Sequence, residues 1–268
     1  MTDIFLHIPK TGGTTLASAL KWSVYGPGSF CRLETEETLQ PGEVFEAEYE
    51  SNLSHDVITG HFRYGAHRHL RGPCRYFTML REPVRRVVSH YYFHRRRKPS
   101  SALSQTPLEQ FHESDHPAAK RNRQVFFLSD YDPAQHPDSS LREAKERLQH
   151  EICAFGLTER FDASLLLLRE QLQWRFPPFY LPRKTGQNRP TVDALPSQTI
   201  EVLRKKNQLD VELYQFAQSR FQEGLERQCS DLDRSLIRFR RRNRLVQSVV
   251  TPLFSCYHAA RRIFATRN

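Results

Sequence analysis

The chain has 268 residues, which is enough to bury the core of one or two domains. Most of its net charge of +10 comes from nine arginines between Arg234 and Asn268. The remainder is nearly neutral, which argues against a body built to bind nucleic acid. The five dispersed cysteines form no CxxC pair, and no apolar run approaches the roughly 18 residues of a membrane-spanning helix. We therefore expect a cytoplasmic protein without a metal centre or a disulfide framework.

Short apolar runs alternate with amphipathic segments along most of the chain. Buried strands are predicted at residues 3–8, 56–62, 75–80 and 154–157. Helices are predicted at residues 14–24, from Pro83 onward, from residues 106–107 onward, and at 139–152, 161–174 and 197–227, the last with a break near Asn207. Residues 26–55 and 177–196 are expected to be irregular. This alternation predicts an α/β fold with a central, mostly parallel sheet flanked by helices.

The stretch FLHIPKTGGTTL, residues 5–16, leads from the first strand into a helix. Its two glycines let the backbone approach an anion, the helix start favours negative charge, and Lys10 adds a cation. Further backbone and hydroxyl donors come from Thr11, Gly12, Gly13, Thr14 and Thr15. The alternative is a tight turn with Thr14 as the helix cap. Because Lys10 precedes both glycines, the loop does not fit the GxxxxGK[ST] pattern of a kinase or ATPase.

A second motif, RYFTMLREPVRRVVSHYYF at residues 75–93, ends a strand at Arg81 and continues into a helix that carries Ser89. A guanidinium can donate two parallel hydrogen bonds to a phosphate. The alternative is a structural ion pair for Arg81, with Ser89 facing solvent. Because ligands bind at the carboxyl ends of parallel strands, we expect Arg81, residues 10–15 and His61 to meet at one edge of the sheet.

Together the two motifs resemble the PAPS-dependent sulfotransferases, and most closely the heparan sulfate (uronosyl) 2-O-sulfotransferase branch. The resemblance implies a P-loop-like sulfotransferase fold and an O-sulfotransferase of EC 2.8.2 type that needs no metal. The implied donor is 3′-phosphoadenosine 5′-phosphosulfate (PAPS), with adenosine 3′,5′-bisphosphate (PAP) as product. By position, residues 11–15 would cradle the 5′-phosphate, Lys10 would stabilise the leaving phosphate, and Arg81 and Ser89 would hold the 3′-phosphate. Residues 181–190 resemble the segment that folds over the cofactor.

His61, at the end of the second predicted strand, is the expected general base. A histidine has an ordinary pKa near 6.5 and can accept the proton of a hydroxyl at neutral pH. The 2-O-sulfotransferases carry His-Gly-His at this place and use the second histidine, whereas this chain has Thr59-Gly60-His61. Because other branches use a glutamate, three acidic residues remain alternatives, namely Glu34, Glu43 and Glu48.

The resemblance implies a carbohydrate or glycoconjugate hydroxyl as acceptor. Basic residues that follow His61 are candidates for binding acidic groups on this acceptor, namely Arg63, His67 and Arg68. The alternative is a solvated basic loop.

The C-terminal segment, residues 231–268, is predicted to be a basic amphipathic tail after a sulfotransferase domain at residues 1–230. Its interleaved arginines and apolar residues suit an interfacial helix on an anionic membrane, with Pro252 at a start or kink, or a helix packed on the body. Two competing functions remain. One is an ATP-dependent phosphotransferase that uses the same loop, and the other is an anion- or nucleic-acid-binding module driven by the tail.

Overall fold

The computed structural model describes residues 1–33, 55–70, 72–175, 178–181, 190–228 and 231–265. Its centre is a five-stranded sheet in which every neighbouring pair is parallel. The strands are β1 (Thr2–Leu6), β2 (Phe30–Arg32), β3 (Val57–Gly60), β4 (Cys74–Leu80) and β5 (Ile152–Leu157), in the spatial order β2-β3-β1-β4-β5. The predicted α/β fold with a parallel sheet is therefore confirmed.

Nine α-helices surround the sheet in the part of the chain that the structure describes. They are α1 (Gly13–Ala19), α2 (Pro83–Arg97), α3 (Ala102–Gln105), α4 (Arg123–Leu128), α5 (Pro137–Glu146), α6 (Phe161–Gln171), α7 (Ser197–Lys206), α8 (Gln208–Gln228) and α9 (Leu232–Ala265). Wider turns extend α1 to Val24 and α5 to Glu151.

The sheet is apolar on both faces because helices cover both. On one face Ile4 and Leu6 pack with residues of α4, α5 and α8. On the other face Phe5 and Phe77 pack with residues of α1, α6 and α9. Alternation along β1 sends neighbouring side chains to opposite faces, so a strand buried on both sides reads as a continuous apolar run.

Three predictions about the elements differ from the structure. Strand β2 lies in a segment predicted to be irregular, since three residues are too few to show an alternating pattern. The helix expected from residues 106–107 is a short 3₁₀ segment at Leu108–Glu113, and a regular helix follows only at Arg123. Helix α9 begins at Leu232 and continues through Pro252, so that proline is not a helix start.

The break predicted near Asn207 separates α7 from α8 and has a clear cause. The Asn207 side chain is buried, and its amide group donates to the Leu203 carbonyl at 2.9 Å. Its Oδ1 accepts the Asn122 amide at 3.1 Å. These bonds satisfy backbone groups at the junction and hold α7 and α8 to the segment before α4.

The segment after residue 231 starts as a helix packed on the sheet domain. Phe239 of α9 is buried in the same cluster as Phe5 and Phe77. The boundary at residue 230 stays a prediction. Within the residues that the structure describes, no helix combines the length and the apolar character needed to cross a bilayer.

Candidate active site

Three motifs meet at the carboxyl edge of the sheet, where β1, β3 and β4 end side by side. Arg81, directly after β4, donates from Nη1 to the carbonyl oxygen of Lys10 at 3.0 Å. His61, directly after β3, donates from Nδ1 to the carbonyl oxygen of His7 at 2.7 Å. The loop after β1 therefore contacts both of the other motifs.

The loop after β1 has a backbone bent by two left-handed residues, Lys10 with φ of 71° and Gly12 with φ of 81°. The buried Thr11 hydroxyl donates to the Ile8 carbonyl at 2.8 Å. The Thr158 hydroxyl lies 2.6 Å from the carbonyl oxygen of Thr11 and connects the loop to β5. The Thr11 side chain thus fixes the loop, and the phosphate contact predicted for residue 11 stays a prediction.

Helix α1 begins at Gly13, and only glycine fits there. A Cβ at this position would lie 2.1 Å from Cδ2 and 2.3 Å from Nε2 of His7. The N-cap is Gly12 and not Thr14, which is exposed in the first turn of the helix, so the capping alternative is wrong. The first amides of a helix have no intrahelical acceptor, which suits this end of α1 to an anion.

A second histidine, which the sequence analysis missed, packs against His61. The ring centroids of His7 and His61 are 4.3 Å apart, and the His7 ring also stacks on Phe5. Burial, followed by the charges of His61, Arg32 and Lys10, lowers the pKa of His7 well below its usual value. His7 is therefore neutral at neutral pH.

The backbone contact of His61 fixes its tautomer. A carbonyl oxygen can only accept, so Nδ1 of His61 must carry the proton, and the lone pair of the neutral ring lies on Nε2. Thr59, which stands where the 2-O-sulfotransferases have their first histidine, is buried and donates to the Phe5 carbonyl at 3.0 Å. The neighbouring histidine at this edge comes instead from the residue after β1.

The cations of the two motifs lie between the loop and α2. The Lys10 ammonium sits 4.0 Å from the ring centroid of Phe93. Ser89 lies one turn before Phe93 on the same helix face and is buried, so the alternative in which it faces solvent is wrong. Arg81 Nε is 3.8 Å from Glu159 Oε1, so Arg81 combines an ion pair with its contact to the loop.

This arrangement suits an anion. Two cationic side chains and the start of α1 are held together at the edge where α/β folds bind ligands. The loop that carries Lys10 is anchored by Arg81 on one side and by Thr158 on the other. In the described part of the chain, no three His, Cys, Asp or Glu side chains converge as a metal site would require.

Arg63 has a structural role in place of the predicted acceptor contact. Its side chain is buried, with Nε 3.1 Å from the Phe126 carbonyl oxygen and 3.0 Å from that of Ser129. Its Nη2 donates to the Tyr131 carbonyl at 3.1 Å. The guanidinium thereby holds the turn that follows α4.

His67 and Arg68 have partners within the protein. His67 contacts the Tyr76 hydroxyl from its amide at 2.8 Å and from Nδ1 at 3.0 Å, and Arg68 pairs with Asp130 at 3.0 Å. Tyr64, in the same segment, donates to Glu151 just before β5. Tyr76 lies in the first half of β4 and Glu151 precedes β5, so these contacts lead toward the amino ends of the strands. The acceptor role predicted for His67 and Arg68 stays a prediction.

Arg32 is a further cation at the carboxyl edge that the sequence analysis did not single out. It is the last residue of β2, pairs in register with Thr59, and is exposed. Its charge contributes to lowering the pKa of His7. The alternative bases Glu34, Glu43 and Glu48 and residues 182–189 of the predicted cofactor-covering loop lie outside the described residues.

Comparison with protein families assigns the fold and the edge site to a class of enzyme. The family model described as galactose-3-O-sulfotransferase matches residues 5–256. The chain belongs to the galactose-3-O-sulfotransferase family. Comparison with curated proteins gives no match.

Membership in the galactose-3-O-sulfotransferase family confirms the predicted class of carbohydrate sulfotransferase but does not support the predicted branch. The family transfers a sulfuryl group to a carbohydrate acceptor, which makes this chain a sulfotransferase of EC 2.8.2 type and disfavours the phosphotransferase alternative. The resemblance to the heparan sulfate 2-O branch is not supported, because the match is to a different carbohydrate sulfotransferase family.

Proposed function

We propose that this protein transfers the sulfuryl group of PAPS to a hydroxyl of a galactose-containing saccharide, with His61 as general base. The observation that carries the proposal is the meeting of Lys10, Arg81, the start of α1 and His61 at one edge of the sheet. PAPS is the donor implied by the family, and galactose is the sugar in the name of the matching family.

The loop and α2 would hold the donor by its phosphates. Backbone amides at the start of α1, with the exposed Thr14 and half-exposed Thr15 beside them, suit the 5′-phosphate. Arg81 and Ser89 suit the 3′-phosphate. When bound, PAPS supplies the sulfuryl group and a phosphate leaving group, and Lys10 would stabilise the negative charge that develops on that phosphate.

His61 is prepared to accept the proton of the acceptor hydroxyl. Its Nδ1–H is held by the His7 carbonyl, so Nε2 is the basic atom and the ring cannot turn without losing this bond. The same carbonyl would stabilise the imidazolium formed by proton transfer. His7 stays neutral and therefore adds no like charge beside His61.

Arg32 is the residue that we propose for contact with the acceptor. It is exposed at the end of β2, next to the strand that ends in His61. A guanidinium there can donate to sugar hydroxyls or to a carboxylate on a neighbouring sugar.

The direct test measures PAP formation from PAPS with terminal β-galactosides, terminal glucosides and water as acceptors. We expect turnover with galactosides only. In His61→Gln, kcat should fall by about 10²–10⁴-fold, the usual contribution of a general base, with little change in PAP affinity. His150→Gln is the matched control because His150 is exposed and distant in sequence from the site.

Undiminished turnover in His61→Gln would remove His61 from the mechanism. Phosphoryl transfer from ATP without any use of PAPS would contradict the proposed reaction as a whole.

A further inference from the structure

Helix α9 has one face packed on the domain and the opposite face open. Phe239 and Asn243 are buried, and Phe239 stacks on Phe179. Asn243 accepts the Tyr180 amide at 2.9 Å, and Gln247 donates to the Tyr180 carbonyl at 3.0 Å. The helix is therefore fixed in rotation, which determines the side chains that it presents outward.

The open face carries large apolar side chains in contact with water. Ile237, Leu245 and Val249 are 68%, 61% and 64% exposed. At 100° per residue they fall within an arc of about 120° on the side away from Phe239 and Asn243. Three such residues on one arc leave an apolar strip that packing against the domain does not explain.

The same arc is strongly basic. Arg234, Arg238, Arg241 and Arg242 are exposed and interleave with the apolar strip. In the described part of the chain, Arg234 pairs with Asp231 at 3.6 Å, while no salt bridge forms at the other three. No acidic residue occurs from Arg234 to the end of the chain. Long arginine side chains can place their charge among headgroups while apolar neighbours enter the bilayer.

A cleft between α6 and α9 is also lined by arginines and apolar side chains. It has a volume of about 220 Å³ and is lined by Arg169, Arg238 and Arg242, against the carboxylates Glu170 and Asp231. Phe179 and Phe239 form part of its wall. A basic cleft with apolar walls, beside a basic and apolar helix face, matches the headgroup region of an anionic lipid.

We infer that the outer face of α9 binds the surface of an anionic lipid bilayer, with α9 lying parallel to it. The apolar strip enters the interface and the arginines contact lipid phosphates. This surface would hold the enzyme beside membrane-bound glycoconjugates. The inference stands independently of the transfer reaction.

The test is co-sedimentation of the full chain with phosphatidylcholine vesicles, with and without phosphatidylserine. Binding is expected only with phosphatidylserine and should weaken as salt is added. Arg238→Gln with Arg241→Gln should lower the partition coefficient roughly thirtyfold, the factor given by about 1 kcal/mol for each cation. Ile237→Ser with Leu245→Ser should lower it by roughly tenfold or more.

The matched control is Arg204→Gln with Lys205→Gln, which removes the same charge from exposed positions on α7 and should leave binding unchanged. All variants should keep the helical circular dichroism and the transfer activity on a soluble acceptor. Equal binding to neutral vesicles, equal losses in the α7 control, or binding to heparin or DNA without binding to vesicles would each overturn the inference.

Discussion

The loop after β1 and the segment that follows His61 are both basic, yet they use their charges differently. At the loop, Lys10 and Arg81 lie around the start of α1, and the backbone is bent by left-handed residues at Lys10 and Gly12. In the other segment, Arg63 is buried among carbonyl oxygens and Arg68 pairs with Asp130. The first region is the one that we propose binds an anion, whereas the cations of the second contact carbonyl and carboxylate oxygens of the protein itself.

The difference shows that the number of cations in a segment says little about ligand binding. Backbone geometry is more informative. The His7 ring leaves no room for a side chain at position 13, and no side chain caps the start of α1. Both features mark a place where backbone amides can donate to a ligand. Each of the following predictions tests this contrast.

Of the variants that compare these two regions, the largest effect is expected at Lys10. Lys10→Met should lower kcat by about 10²–10³-fold, because a preorganised cation that stabilises developing charge contributes on this scale. Affinity for PAP should change far less. Lys21→Met removes a cation from the turn after α1 and should leave both parameters unchanged. Equal losses in kcat for the two variants would contradict a specific role for Lys10.

Arg63 should affect stability and not catalysis. Arg63→Met removes several charged hydrogen bonds from a buried site and should cost about 2–3 kcal/mol, or a fall in Tm of about 5–10 °C. Arg68→Met should cost less than about 1 kcal/mol, since its ion pair is exposed. If Arg63→Met raised the KM for the acceptor and left Tm unchanged, the contrast between the two regions would fail.

Gly13 should be intolerant of even one methyl group. Gly13→Ala must displace the His7 ring, so we expect a loss of about 1–3 kcal/mol in stability together with lower PAP affinity and lower kcat. Gly28→Ala is the matched control because a Cβ there would meet nothing within 4 Å. Full activity in Gly13→Ala would mean that the packing of His7 against α1 is unimportant for the site.

Acid should weaken the carboxyl edge through His7. Burial lowers the pKa of His7, so the unfolded chain binds a proton at this histidine more readily than the folded protein does. The contribution of neutral His7 to the free energy of unfolding is therefore complete above about pH 6.5 and is lost as the pH falls below that value. His7→Phe keeps a ring in place without titration. The decline of Tm between neutral and acid pH should be shallower in this variant than in the parent protein, and an identical decline would contradict a neutral buried His7.

Local signals in the sequence were enough to predict most elements and the donor motifs. Pro83 starts α2, Asn207 separates α7 from α8, and alternating strands and helices lead to a parallel sheet. Other features depend on contacts between distant segments. The carbonyl oxygens that bind Arg63 lie more than sixty residues away, and nothing in RYGAHRH indicates them.

His7 and Arg32 were missed for a related reason. His7 follows β1 directly, and this position at the end of a strand could have marked it as a candidate. Its importance comes from contact with the ring of His61, which follows the neighbouring strand β3. Arg32 ends a three-residue strand inside a polar segment. The sequence pattern therefore predicted neither this strand nor the position of Arg32 at the carboxyl edge of the sheet.

The central claim is that the loop after β1 and Arg81 form a site for a nucleotide with a 3′-phosphate. The most direct measurement is the Tm of the protein with PAP, compared with ATP–magnesium and with 5′-AMP. A ligand at about one hundred times its Kd adds roughly 2.7 kcal/mol, or about 5–10 °C for a domain of this size. We expect this shift with PAP, its loss in Arg81→Ala and its retention in Arg85→Ala, each measured against the unliganded Tm of the same variant. A shift with ATP–magnesium and none with PAP would contradict the central claim.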